Sequence, residues 1–234
     1  MIELLHQIEQ IDTQIFLFFN GFHNVYWDYF MMIFSDRFVW VPFYASFIFV
    51  LLKNFPVKVV MSTIVVITLI ILFSDQTASG ILKPLVARMR PSNPDNPISP
   101  MVHVVQGYRG GRYGFPSSHA ANAWSMAFFA QYLVRRSKLT IFLCLWALIT
   151  SYSRMYLGVH YFGDILIGTL IGFLYATLYY YIFQYFLRKH TERFKPNHDI
   201  RFASVPIITG LVSIWVIICT CLLYTSPSPR DRTR

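Results

Sequence analysis

Three short stretches of this chain hold side chains that could do chemistry together. They are Lys83-(six residues)-Arg90-Pro91, Pro116-Ser117-Ser118-His119, and Ser153-Arg154-(five residues)-His160-(three residues)-Asp164. Together they offer three cations, a hydroxyl, two imidazoles and one carboxylate, the set that cleavage of a phosphate ester without a metal needs. His160 and Asp164, four apart at the start of an apolar run, share one helix face. A carboxylate bonded to one imidazole nitrogen fixes the tautomer and leaves the other nitrogen free to attack. A His/Asp pair that only caps a helix entrance has the same spacing. Arg154 is a planar fork suited to phosphate oxygens, and equally the kind of residue that anchors a helix at an interface.

Ser117 and Ser118 follow a glycine-rich loop and precede an apolar-periodic run, an N-cap signal. Free amides at such a terminus point outward with the positive end of the helix dipole and can hold an anion. His119, next along, is placed to protonate a leaving oxygen, although a capped helix with a polar histidine at a membrane surface accounts for the residues as well. Lys83 and Arg90 are seven apart, close to two helical turns, so a continuous helix would aim both one way; Pro84 argues against regular helix there. A cationic helix end among lipid headgroups is the plainer reading of that pair alone. Asp75 and Ser79 lie eight and four residues before Lys83, on its face, within reach of a hydrogen bond to it or of solvent.

The elements that must position these groups read as membrane helices. The chain has 234 residues, 55% hydrophobic, 18% aromatic and only 13% charged, where a soluble domain carries about 25% charged residues. Apolar runs at 38–52, 58–73, 120–134, 139–150, 165–187 and 202–224 approach the roughly 20 residues that cross a bilayer core. Fixed charges in such surroundings are costly and mark functional sites. The net charge of +9 does not point to nucleic acid, because the basic residues sit in short loops between apolar runs. Cys144, Cys219 and Cys221 have neither zinc-ligand spacing nor a disulfide framework, and no internal repeat is present.

The fold class expected is all-α: a polytopic membrane bundle of about six spanning helices with an N-terminal interfacial amphipathic helix. Residues 1–36 form the interfacial segment, with Leu4, Leu5, Ile8, Ile11, Ile15 and Phe18 at near-helical spacing and a second apolar element at 25–34. Residues 37–201 form the catalytic membrane domain, with helices at about 37–53, 58–82, 118–135, 138–156 and 161–187. The Pro- and Gly-rich residues 91–115 are a loop, and a further helix occupies 202–220. No secretory signal is evident at the N-terminus, so insertion is expected to rely on the spanning helices. Lys53/Lys58, Arg135/Arg136/Lys138 and Arg188/Lys189/Arg193/Lys195/Arg201 all fall on the side away from the three motifs. Since cytoplasmic loops hold the Lys/Arg excess, the motifs are expected to face out of the cytoplasm, despite Arg109 and Arg112 in their own loop. Residues 221–234 read as a translated sequencing-adapter artefact. Their Arg230, Arg232 and Arg234 would also emerge on the wrong side for a positive-inside protein.

Taken together, the three stretches resemble the signature motifs of the type 2 phosphatidic acid phosphatase family, a membrane branch related to vanadium haloperoxidases and glucose-6-phosphatase. The resemblance covers about residues 58–185, and the spacings of the first and third motifs match in full. The second motif departs: Ser118 stands where the family usually has glycine, which puts the amide contact there in question and leaves His119 in place. The resemblance implies that Lys83, Arg90 and Arg154 clamp the phosphate, helped by Ser117 and the Ser118 amide. It implies that His160 attacks phosphorus with Asp164 orienting it, and that His119 is the general acid and base, without metal or other cofactor. Arg88, Arg109 and Arg112 are candidates for headgroup contact, with solvated loop arginines the alternative; His103, in the same loop, is a weaker candidate. The expected partners are a lipid phosphate or diphosphate and the bilayer, with no nucleic acid, and the expected location is the bacterial inner (plasma) membrane with the site towards the periplasm or exterior. Nothing in the residues chooses between phosphatidic acid, phosphatidylglycerol phosphate and undecaprenyl diphosphate, or gives the oligomeric state. A phosphotransferase of the same fold and a non-catalytic lipid-binding protein remain open.

Overall fold

A computed structural model describes residues 2–190 and 200–226. They form helices and loops with one isolated bridge, Met89 to Tyr113, and no strand. Helix α1 (Ile2–Asn20) leads to α2 (Val25–Phe34), which is capped by the Asn24 side chain accepting from Trp27 N. A 3-10 turn at Arg37–Trp40 then feeds α3 (Val41–Asn54). After Pro56, α4 (Val57–Asp75) runs into a π-helical stretch, Gln76–Leu82, and a last turn, α5 (Lys83–Val86). Beyond the long loop come α6 (Ser118–Val134), α7 (Ser137–Tyr156), α8 (Phe162–His190) and α9 (Val205–Thr225).

Four of these helical segments are long and apolar enough to cross a membrane: Val57–Val86, Ser137–Tyr156, Phe162–Leu187 and Val205–Thr225. A fifth arises if α2 and α3, bent by 63° at their junction, count as one span. The expected number of about six included α6 as an ordinary span. At 17 residues, with Ser118, His119, Asn122, Ser125 and Gln131 along it, α6 is shorter and more polar. It packs against α4, α7 and α8, so less of its surface has to match lipid.

The α6–α8 contact is what holds two of the motifs together. Gly168 and Gly172 on α8 lie against the backbone of α6 at Ser117, Ala121 and Ser125. This is the small-residue packing that lets membrane helices approach closely without hydrophobic drive. An aromatic core of Phe34, Trp40, Phe43 and Trp146 ties α2 and α3 to α7. The Asn54 side chain donates to Arg201 O (2.8 Å) and accepts from Arg201 N (2.7 Å), joining the α3–α4 turn to the entry of α9 at the end of the bundle remote from the motifs.

Helix α1 packs in a way its apolar spacing does not indicate. Leu4, Leu5, Ile8, Ile11 and Phe18 are exposed, while Asp12, Phe16 and Asn20, at i, i+4 and i+8, are buried against the protein. Of the tail expected to be foreign, residues 221–225 are the last of α9 and Ser226 is its cap, and 227–234 lie outside the described residues. So do His198 and the basic residues Arg193 and Lys195.

Candidate active site

The three motifs converge at one end of the bundle, each delivered by a helix terminus or the loop beside it. Lys83 opens α5, where Ala87 ends the helix in the left-handed region (φ 51) and turns the chain back. Arg90 therefore lies on an extended segment pinned by Arg90 N to Arg112 O (3.2 Å), not on the continuous helix that its spacing from Lys83 allowed. Lys83 Nζ donates to Ser79 Oγ (3.0 Å), and Ser79 in turn donates to Asp75 (3.3 Å), so the lysine is tethered from its own helix. Its other neighbour is Ser118 Oγ at 3.4 Å.

Ser117 is fully buried and N-caps α6, its hydroxyl accepting from Ala120 N (3.4 Å), while its own amide donates to Asp164 O (2.9 Å). The cap hydroxyl is thus engaged by the helix, and the cap residue couples α6 to the head of α8. His119 is open to a cavity of about 520 Å³ between α3, α4, α6 and α7. The cavity is walled by apolar side chains such as Phe47, Leu51, Ile67 and Trp146, with Ser118, His119 and Asp75 along its polar side.

His160, buried in the turn between α7 and α8, bonds through Nδ1 to Asp164 Oδ2 (3.2 Å), and Asp164 also accepts from Tyr161 N (3.0 Å). With Nδ1 carrying the proton, Nε2 presents its lone pair; Arg90 Nη1 lies 3.4 Å from it. Burial, followed by the cations of Arg90, Arg154 and Lys83, pushes the His160 imidazole well below its ordinary range. The ring is therefore neutral and able to attack. Arg90 is aimed by Tyr113 O (3.1 Å) and Val159 O (3.3 Å).

Arg154, 2% exposed, is held by Ser35 Oγ from the bend between α2 and α3 and by Tyr108 Oη (3.0 Å) from the long loop. Its Nε is buried and has no hydrogen-bond partner among the described residues. A buried unpaired donor is costly, and a phosphate oxygen would satisfy it. Burial, followed by the positive surroundings in which Arg154 comes first, lowers the His119 pKa to about 2, so this imidazole too is neutral in the free site.

The remaining arginines divide. Arg109 donates to Ser92 O and to Ser99 Oγ, bracing the loop from within, and Arg112 is exposed, its guanidinium 5.6 Å from the Tyr113 ring. Arg88 turns to Asp12 (2.7 Å) and Asp164 (3.1 Å), with its guanidinium 3.8 Å over the Tyr161 ring. Burial works against its charge, but Asp164 and Asp12 outweigh that and raise its pKa. His103 bonds Asp28 (2.9 Å) and stacks on His23, and Asn20 fixes this corner through His103 N, Met155 O and Tyr156 O. Asp12, Asn20, Ser35 and Tyr108 were not singled out by motif spacing. Asp12 and Asn20 carry no distinguishing signal in the sequence, because α1 holds other polar residues, Glu3, Gln7, Glu9, Gln10 and Gln14 among them.

The PAP2 superfamily model matches residues 58–188, more than half of the chain. A lipid A 4'-phosphatase of Bacteroides thetaiotaomicron is 46% identical over 225 residues, covering 93% of this chain and 97% of that protein. A lipid A 4'-phosphatase of Porphyromonas gingivalis is 33% identical over 182 residues, 77% of this chain and 76% of that one. A dihydrosphingosine 1-phosphate phosphatase of Schizosaccharomyces pombe is 27% identical over 164 residues, 66% of this chain and 36% of that one. No solved structure matches significantly. The chain belongs to the PAP2 superfamily. It is a membrane lipid phosphatase, a phosphoric monoester hydrolase.

Proposed function

We propose that this protein removes the phosphate of a glycolipid of the lipid A type through a phosphohistidine on His160, without a metal. The observation that carries the reading is the buried His160, bonded to Asp164 through Nδ1, with Arg90 Nη1 3.4 Å from its other nitrogen, Nε2. Three cations supply the positive charge that phosphoryl transfer needs in its transition state. The substrate class follows the two relatives named lipid A 4'-phosphatases, one of them alignable over nearly the whole chain.

Binding of the negatively charged phosphate offsets the cations that help hold His119 neutral, so that His119 takes up a proton from solvent. In the first step His160 Nε2 attacks phosphorus, the ester P–O bond breaks, and the departing lipid oxygen takes that proton from His119. In the second, water adds its oxygen to phosphorus and gives a proton to His119. The P–N bond then breaks, its electron pair returns to Nε2, and inorganic phosphate leaves. The cavity beside His119 takes an acyl chain of the lipid while the headgroup meets the cationic cluster. Because the basic turns gather at the opposite end of the bundle, the site faces the periplasm.

The test is phosphate release by detergent-purified protein in EDTA, offered lipid A bearing a 4'-phosphate, phosphatidic acid, phosphatidylglycerol phosphate and undecaprenyl diphosphate, with His160→Ala alongside. The reading expects release that survives EDTA, favours lipid A, vanishes in the variant, and passes through an acid-labile phosphoenzyme trapped from labelled substrate. Loss of release in EDTA, or wild-type turnover by His160→Ala, would overturn it. Product appearing only with an added acceptor would replace hydrolysis by phosphotransfer.

A further inference from the structure

Asp12 belongs to the helix farthest in sequence from the chemistry, yet it is linked to the nucleophile by a continuous chain of short polar contacts. Asp12 Oδ2 lies 2.7 Å from Arg88 Nη1, and the same nitrogen lies 3.1 Å from Asp164 Oδ1. The second oxygen of Asp164 takes His160 Nδ1 and Tyr161 N. Asp12 Oδ1 accepts from Gly163 N at 2.8 Å, in the first turn of α8 and one residue before Asp164. The side chains are 11% (Asp12), 21% (Arg88) and 0% (Asp164) exposed, so these attractions escape most of the screening that weakens surface pairs.

From this arrangement we infer that Asp12 and Arg88 are a positioning pair for the His160–Asp164 dyad, and that α1 belongs to the catalytic apparatus. The inference rests on the proposed role of His160 as nucleophile. Asp164 divides its oxygens, one for the imidazole and one for Arg88. With Arg88 in place the carboxylate cannot rotate away from His160 without giving up a buried ion pair. Asp12 holds Arg88 there. A guanidinium a few ångströms from a phosphate site would otherwise be free to turn to the substrate, leaving Asp164 buried without its cation. The Tyr161 ring beneath the guanidinium fixes the plane of the fork.

Gly163 gives a separate line of support. A Cβ at that position would sit 2.8 Å from Asp12 Oδ2 and 3.4 Å from Asp12 Cγ. The absence of a side chain at 163 is what lets the Asp12 carboxylate reach both the α8 terminus and Arg88. Loss of the Asp12 contact can therefore be produced from either side of it, by Asp12→Asn or by Gly163→Ala.

The experiment measures kcat, KM and the inhibition constant for inorganic phosphate in wild-type protein and in Asp12→Asn, Gly163→Ala, their double variant, Arg88→Gln and Arg88→Lys, with His160→Ala as reference. Because the pair acts through His160 and not on the bound phosphate, kcat should fall about tenfold in Asp12→Asn and Gly163→Ala and about 100-fold in Arg88→Gln. KM and phosphate inhibition should stay within about threefold. The double variant should be no slower than the slower single one. Since one nitrogen of Arg88 touches both carboxylates, Arg88→Lys should recover most of the loss. Wild-type kcat in Asp12→Asn and Gly163→Ala would overturn the inference, as would losses in kcat matched by equal weakening of phosphate inhibition, which signals a disordered pocket. Failure of the underlying reading looks different: wild-type protein releases no phosphate, or His160→Ala matches it.

Discussion

Replacing Gly172 by alanine should cost activity far out of proportion to one methyl group. A Cβ at 172 would lie 2.5 Å from Ala121 O and 2.9 Å from Ser125 N, both backbone atoms of α6 that no rotamer change can move. Ordinary C···O contacts are about 3.3–3.6 Å, so the two helices must separate locally by about 0.8–1 Å. Helix α6 carries Ser117, Ser118 and His119 at its start, and α8 begins beside His160 and carries Asp164 in its first turn. Gly172 lies about 12 Å along the helix from Asp164, so a rigid α8 passes a good part of that shift to the site. A misplacement near 1 Å can cost about 100-fold in rate, and overpacking itself costs about 1–3 kcal/mol. The assay is kcat for phosphate release in detergent together with thermal unfolding of the same preparation. Gly80→Ala is the control: its Cβ would meet only the tip of the Gln76 side chain (2.9 Å), which can swing aside, so it should stay within about twofold of wild type. Gly172→Ala with wild-type kcat and unchanged unfolding would refute the claim that this helix contact holds the two halves of the site in register.

Two further outcomes follow from single side chains. Because burial and three cations lower the His160 pKa, the neutral nucleophile is already the dominant form at pH 7. It is lost only as pH falls through a value below the usual 6.5, so the acid limb of kcat/KM should lie below pH 6.5; a limb at or above that value would contradict the environment described for His160. Ser118→Gly should leave turnover within about threefold of wild type, since Ser118 Oγ is a 3.4 Å neighbour of a lysine already held by Ser79. A larger loss would make the hydroxyl a phosphate ligand in its own right.

Much of the site was legible in the sequence because its chemistry depends on spacing along the chain. The spacing of four brings His160 and Asp164 together, although not on one helix: His160 lies in the turn before α8, and Asp164, in the first turn, reaches back to it and to Tyr161 N. Ser117 caps α6 because serine before an apolar run does so by ordinary helix physics. The link from Lys83 to Asp75 through Ser79 matches their spacing of eight and four residues, although the stretch between them is π-helical. Lys83 and Arg90 also converge, but through the left-handed turn at Ala87 and an extended return. A spacing of seven residues cannot distinguish that route from two turns of helix. The number of spans was less legible for a similar reason: α6 is as regular as its neighbours, and its enclosure by other helices is a tertiary fact.

What the sequence concealed most fully was the orientation of α1. In a soluble protein the stripe of Leu4, Leu5, Ile8, Ile11 and Phe18 would mark the buried face. Beside a bilayer that inference loses its sign, because lipid accepts apolar side chains as readily as a protein interior does. The stripe is left outside, and the face turned to the protein is the one bearing Asp12, Phe16 and Asn20. Polar residues on that face can reach backbone amides, carbonyls and Arg88, partners that lipid does not provide. For an interfacial helix packed on a membrane enzyme, apolar spacing therefore does not say which face meets the protein. Asp12 and Asn20 share α1 with Glu3, Gln7, Glu9, Gln10 and Gln14, so polarity alone does not single them out; their buried partners do, and through these two residues the N-terminal helix grips the loops and termini that carry His160 and Asp164.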